Sequence, residues 1–149
     1  MAIHIPGEFR EFLKLLDAHD VEYLLIGGYA VAFHGYPRAT ADMDVFINAS
    51  PENAVRVEAV LRKFGFDVPE LSPDLFVKDT SKIIRMGIPP LRIEILMSIS
   101  GVNFAECYKS RVEFKDDDLT IKIIDLDNLI KNKETAARHK DLDDLEHLQ

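Results

Sequence analysis

The chain has 149 residues, 47% apolar and 30% charged, which suits one soluble globular domain with a sizeable core. Its formal charge of −8 argues against non-specific DNA binding, which needs clustered Lys and Arg, but leaves a single nucleotide as a manageable ligand. The lone Cys107 excludes an intramolecular disulfide. With no charged-then-apolar leader pattern and no apolar run near the ~20 residues of a membrane span, a cytoplasmic protein with no membrane partner is expected.

Phe9, Phe12, Leu13, Leu15 and Leu16 recur at helical spacing after Pro6, which predicts an amphipathic helix over 6–19. Residues 21–26 read as a strand broken by Gly27-Gly28. Residues 29–34 then make about one and a half to two helical turns before Gly35 and Pro37 stop them. A second strand, 42–47, opens with Asp42 and Asp44. Ser50, Pro51 and Glu52 supply the N-cap, first position and acidic first turn of a helix to about Phe64, with Gly65 as its stop. Residues 75–77, 82–88 and 91–97 predict strands, the last two joined by a turn at Gly87-Ile88-Pro89-Pro90. A short helix is expected over 103–109. Residues 112–114 and 119–124 flank the polar tip Lys115-Asp116-Asp117-Asp118 as a hairpin. Two helices, about 126–135 and 138–148, complete a single domain without repeat or linker.

The most informative stretch is 24–47. Side chains two apart in a strand project from one face, so Asp42 and Asp44 point the same way. Like charges held that close call for a cation, and a divalent metal is the usual answer. The backbone N–H groups of Gly27-Gly28 offer a seat for a phosphate, and metal beside phosphate is the core of a nucleotide-handling site. A two-metal centre needs a third carboxylate. Glu94, a lone acid between Ile93 and Ile95, supplies the candidate, the bland alternative being a solvated charge paired with Arg92 or Arg85. Arg38 offers a fork for phosphate oxygens and Thr40 a hydroxyl to orient an Asp or a phosphate. Lys133, Arg138 and Lys140 make the C-terminal run locally basic and could reach a triphosphate, or else form a solvated helix face with Arg138 paired to Asp141. His34 reads as a helix-end or packing residue, and Phe9, Phe12, Phe64 and Phe66 as core.

Gly27-Gly28, Arg38-x-Thr40-x-Asp42-x-Asp44 and the isolated Glu94 together resemble the DNA polymerase β-like nucleotidyltransferase superfamily. Within it, Lys133, Arg138, Lys140, Asp141, Asp144 and Leu145 match a segment of the small bacterial abortive-infection and toxin–antitoxin nucleotidyltransferases. The family's second loop residue is commonly Ser and its third carboxylate commonly Asp, where this chain has Gly28 and Glu94. The resemblance implies an α+β fold, a mixed and mostly antiparallel sheet flanked by helices. It also implies transfer of a nucleoside monophosphate from an NTP to an acceptor hydroxyl, with pyrophosphate released. Asp42, Asp44 and Glu94 would be metal ligands and catalytic groups with Mg2+ or Mn2+, while Gly27, Gly28, Arg38, Thr40, Lys133, Arg138 and Lys140 would hold the nucleotide. The acceptor could be a small molecule, a protein side chain or an RNA end, and base preference and oligomeric state stay open. Two alternatives stand beside it: a non-catalytic binding module, antitoxin-like or regulatory, whose surface grips a partner protein, and a metal-dependent phosphohydrolase that would use the same carboxylates.

Overall fold

The computed structural model describes residues 5–37, 40–88 and 91–149. In chain order the elements are α1 (Gly7–Ala18), β1 (Tyr23–Ile26), α2 (Gly27–Phe33), β2 (Asp42–Ile47), α3 (Pro51–Phe64), β3 (Ile83–Ile88), β4 (Leu91–Leu96), α4 (Phe104–Lys109), β5 (Val112–Asp116), β6 (Leu119–Ile123), α5 (Leu126–Ala136) and α6 (His139–Leu148). The strands form one six-stranded sheet in the order β3-β4-β2-β1-β6-β5. Three pairings are antiparallel and two parallel, β2 with β4 and β1 with β6. This is the expected α+β fold with a mixed, mostly antiparallel sheet.

Period-two alternation gives the central strands two different faces. Met43, Val45 and Ile47 on β2 and Ile93 and Ile95 on β4 are buried. Asp42 and Asp44, with Arg92 and Glu94, therefore stand on the opposite face. All four residues of β1 are buried, as befits a strand near the sheet centre. Phe9, Phe12, Leu13 and Leu16 form the buried stripe of α1, which packs against α3 and β6. The Phe12 and Phe64 rings meet edge to face at 5.1 Å. α3 starts and stops as its sequence dictates: the Ser50 hydroxyl accepts from the Asn53 N–H, Pro51 fills the first turn, and Gly65 closes the helix at φ 117°.

Two expectations are corrected. Residues 75–77 are no strand: Pro73–Phe76 is a short 3-10 helix that buries Phe76 completely. Pro73 favours a helical start, and the Val77 and Lys78 amides turn back to the Asp74 carbonyl instead of reaching a neighbouring strand. The glycine pair also does not precede its helix as a separate turn, because α2 begins at Gly27 itself. The expected turn at 87–90 includes Pro89 and Pro90, which lie outside the described residues.

Candidate active site

Strand register assembles the site. Ile26 on β1 lies opposite Asp44 on β2, Asp44 opposite Glu94 on β4, and Glu94 opposite Arg85 on β3. One step along, Asp42 lies opposite Arg92. The parallel β2–β4 pairing is what brings the three carboxylates to one patch of one sheet face. Two of them are met by arginines: Arg92 donates to Asp42 from Nε at 3.3 Å and from Nη2 at 3.1 Å, and Arg85 Nε donates to Glu94 Oε2 at 3.2 Å. Asp44 differs. Burial, the nearby Glu94 charge and the Asp42 charge push its carboxyl from 3.8 up to about 6, against the opposing pull of Lys140 and Lys133.

The glycines are explained by what they face. Gly27 has φ +66°, and a Cβ there would overlap the Asp44 carboxylate. A Cβ on Gly28 would come within 2.7 Å of Thr40 Cβ and Oγ1. The backbone at 27–28 thus lies directly against the carboxylate and Thr40, leaving no room for side chains. Gly27→Ala is expected to cost about 1–2 kcal/mol from the left-handed backbone alone, and to displace Asp44 as well. Urea unfolding should show the first effect and loss of nucleotide binding the second. Thr40 donates its hydroxyl to the Asp42 carbonyl at 3.1 Å, so it orients the strand rather than the carboxylate.

A cleft of about 810 Å³ covers this face, with Gly27, Gly28 and Thr40 at the β1 side and Asp42, Asp44 and Glu94 on the floor. Lys133, Arg138 and Lys140, from α5, α6 and their junction, also line it, so the fold does bring the basic tail to the carboxylates. Their states differ. Lys133 is only 4% exposed, its ammonium 3.0 Å from both Asp141 Oδ1 and Asp144 Oδ2, which are themselves buried. Arg138 donates to Asp141 Oδ2 from its backbone N–H at 3.1 Å and from Nε at 2.8 Å. Burial alone would raise the Asp141 carboxyl, but hydrogen bonds from Arg138 and Lys133 outweigh it and hold the group below its ordinary value. The buried triad pins α6 to α5 across Ala137, a non-glycine residue at φ 51°. Among the described residues no ion pair engages Lys140, which leaves it as the available cation facing Asp44.

Arg38 lies outside the described residues. His34 caps the end of α2, donating from Nε2 to the Ile124 carbonyl at 2.7 Å, in keeping with a helix-end histidine. Cys107 is buried, which pushes its thiol up to about 11 and keeps it unreactive. Two pairings are missed in the sequence, Arg92 with Asp42 and Lys133 with Asp141 and Asp144. Arg92 sits two residues before Glu94 and so shares its face, a period-two signal for the Asp42 partner. Asp141, Asp144 and Leu145 share a helical stripe, a signal that these acids point inward.

Among the described residues no three His, Cys, Asp or Glu side chains converge as a ready metal cluster, and Asp42 and Glu94 are each paired with an arginine. The donor set fits a hard divalent cation all the same: three carboxylates close together on one sheet face, with no ion pair at Asp44 among the described residues.

The six-stranded mixed sheet with its flanking helices makes an α+β fold like that of nucleotidyltransferase-like structures. Among solved structures, the chain resembles a candidate nucleotidyltransferase of Thermotoga maritima, with a TM-score of 0.62 and 17% identity over 93% of this chain and 88% of that one. It also resembles an antigenic nucleotidyltransferase-like protein of Paracoccidioides brasiliensis, with a TM-score of 0.56 and 15% identity over 95% of this chain and 72% of that one. At these identities the likeness is one of fold. No protein-family model and no curated protein matches the chain. Among the described residues no helix is long and apolar enough to cross a membrane.

Proposed function

We propose that this chain is a metal-dependent nucleotidyltransferase, akin to the small toxin–antitoxin enzymes, that moves a nucleoside monophosphate from an NTP to an acceptor hydroxyl. The observation that carries this reading is Asp44: a partly buried carboxylate opposite Glu94, engaged by no ion pair among the described residues, with glycine backbone laid against it. A purely structural carboxylate would have been given a counterion, as Asp42 was. The shared fold of the two nucleotidyltransferase-like structures supports the same reading.

Asp42, Asp44 and Glu94 would hold Mg2+ or Mn2+, which supplies charge neutralisation at the phosphate oxygens. Backbone N–H groups at Gly27 and Gly28 receive phosphate oxygens, and Lys140 adds the mobile positive charge. Lys133 serves chiefly as the strut that sets the α5–α6 pair over the cleft. Arg138 shares that task through Asp141. The acceptor oxygen bonds to the α-phosphorus as the bond from the α-phosphorus to the bridging oxygen breaks. Pyrophosphate leaves, and the acceptor proton passes to the Glu94 carboxylate, freed from Arg85.

Incubation with α-labelled and γ-labelled NTPs, against RNA and nucleotide acceptors, tests the reaction. Label from the α-position is expected in the acceptor, with pyrophosphate released in equal amount. Orthophosphate as the phosphorus product would assign the carboxylates to a phosphohydrolase instead. One observation favours a second reading: Arg85 and Arg92 already neutralise two of the three acids, as a non-catalytic binding module would require. Asp44, which no ion pair engages among the described residues, supports the enzyme reading over the module.

A further inference from the structure

The register runs Ile26, Asp44, Glu94, Arg85, one strand per step, so the site is a line across the sheet. At ~4.8 Å between strands, the Arg85 backbone lies about 5 Å beyond Glu94 and about 10 Å beyond Asp44. It is on the side away from the glycines. Phosphoryl transfer places the attacking and leaving oxygens roughly in line on opposite sides of phosphorus. If pyrophosphate departs on the glycine side, as the function proposed above requires, the acceptor must enter from the β4–β3 side.

That end of the cleft has a definite chemistry. Two of its neutral polar groups are engaged: the Ser98 hydroxyl donates to the Thr80 carbonyl at 2.7 Å, and the Asn132 amide donates to the Ser100 carbonyl at 2.9 Å. Arg85 is different, its side chain 56% exposed and tied to Glu94 by one hydrogen bond. Only the Arg85 end of the pair is exposed, the Glu94 side chain being 15% exposed, so Arg85 is free to turn away once a metal ion compensates Glu94. On the same face, two residues away, Ile83 stands opposite Leu96. Ile83 is 41% exposed, unusual for a large apolar side chain, and both residues line the cleft.

We propose that this end is the acceptor site and that it takes an alcohol carrying a phosphate close to its hydroxyl, the phosphate read by Arg85 and the organic body resting on Ile83 and Leu96. A guanidinium fork matches phosphate oxygens, which suits Arg85 to this role better than a neutral acceptor would. One strand spacing separates Arg85 from Glu94, the group that takes the hydroxyl proton. A hydroxyl and a phosphate on the same ribose span a similar distance. A serine or tyrosine acceptor on a protein would leave the exposed cation and apolar ledge without purpose. A free nucleotide and an RNA 3′ end present the same group, so the chemistry is shared between two sources.

The test is calorimetric and does not depend on turnover. Protein with Mg2+ is first loaded with an α,β-methylene NTP analogue, then titrated with the four nucleoside 5′-monophosphates, the matching nucleosides, and a short oligoribonucleotide with a free 3′-hydroxyl. A nucleoside monophosphate is expected to bind at least about tenfold more tightly than its nucleoside, in line with a charge-assisted hydrogen bond. Arg85→Gln should erase that difference while the variant still binds the NTP analogue, which also shows that it is folded. Tighter binding of the oligoribonucleotide than of any monophosphate would identify the RNA end as the source, and the reverse a free nucleotide. Equal binding of nucleoside and monophosphate, binding of neither, or an equal loss of both in Arg85→Gln overturns the proposal. Failure of the wild type to bind the NTP analogue overturns the nucleotidyltransferase reading itself, and the acceptor site with it.

Discussion

Asp44→Asn is expected to stabilise the metal-free protein at neutral pH by on the order of 2 kcal/mol while abolishing metal-dependent nucleotide binding. The stability gain follows from the Asp44 carboxyl being pushed from 3.8 to about 6, mainly by burial and then by Glu94. The folded chain thus keeps a proton that the unfolded chain releases. The stability this provides is complete below about pH 4 and is lost as the pH rises through about 6. Above that, the folded state carries the cost of a desolvated carboxylate beside like charges, and asparagine removes it. Urea unfolding in EDTA should show wild type and variant converging below about pH 4, the gap opening between about 4 and 6 and staying constant above 6. A variant less stable than wild type at neutral pH would mean that Asp44 is a structural anchor. The same titration predicts that metal-dependent nucleotide affinity in the wild type falls as the pH drops through 6.

Lys133→Met should cost about 3–5 kcal/mol, because it takes the ammonium from between two buried carboxylates. Lys133, Asp141 and Asp144 are all nearly inaccessible, and the ammonium lies 3.0 Å from each acid. Water cannot replace it as it would at an exposed pair, where the loss is under about 1 kcal/mol. Combining Lys133→Met with Asp141→Asn and Asp144→Asn should recover a large part of the loss, since the uncompensated charge goes with the acids. A shift in urea midpoint worth less than about 1 kcal/mol for Lys133→Met alone would show that the triad does not hold α6 in place. Because α6 carries Lys140 to the cleft, the variant should also bind nucleotide more weakly even when folded.

How much of this was written in the sequence depends on range. Asp42 and Asp44 could be placed on one face because alternation is a local property of a strand. Glu94 stood out as an acid inside an apolar strand for the same reason. The Ser50 cap and Gly65 stop of α3 were legible because caps are made within a few residues. What joins Asp44 to Glu94 is a parallel register across 50 positions of chain, fixed by core packing of Met43, Val45, Ile93 and Ile95 and by no local signal. The Arg92–Asp42 pair depends on that same register, so it was hidden. Leu75, Phe76 and Val77 form an apolar triplet that serves a strand or one buried turn equally well. Pro73 and the single anchor Phe76 decide for the turn. The C-terminal charges were ambiguous for a different reason. Lys133 meets partners eight and eleven residues later, so its burial arises only when α6 folds back along α5.

The most direct measurement is a calorimetric titration of the four NTPs into the purified protein, with Mg2+ or Mn2+ and again with EDTA, beside the Asp42→Asn/Asp44→Asn variant. Metal-dependent binding to the wild type, absent from the double variant and from the EDTA series, is the predicted result. A folded wild type that binds no nucleotide under any of these conditions would contradict it and leave the chain a partner-binding module built on a nucleotidyltransferase-like fold.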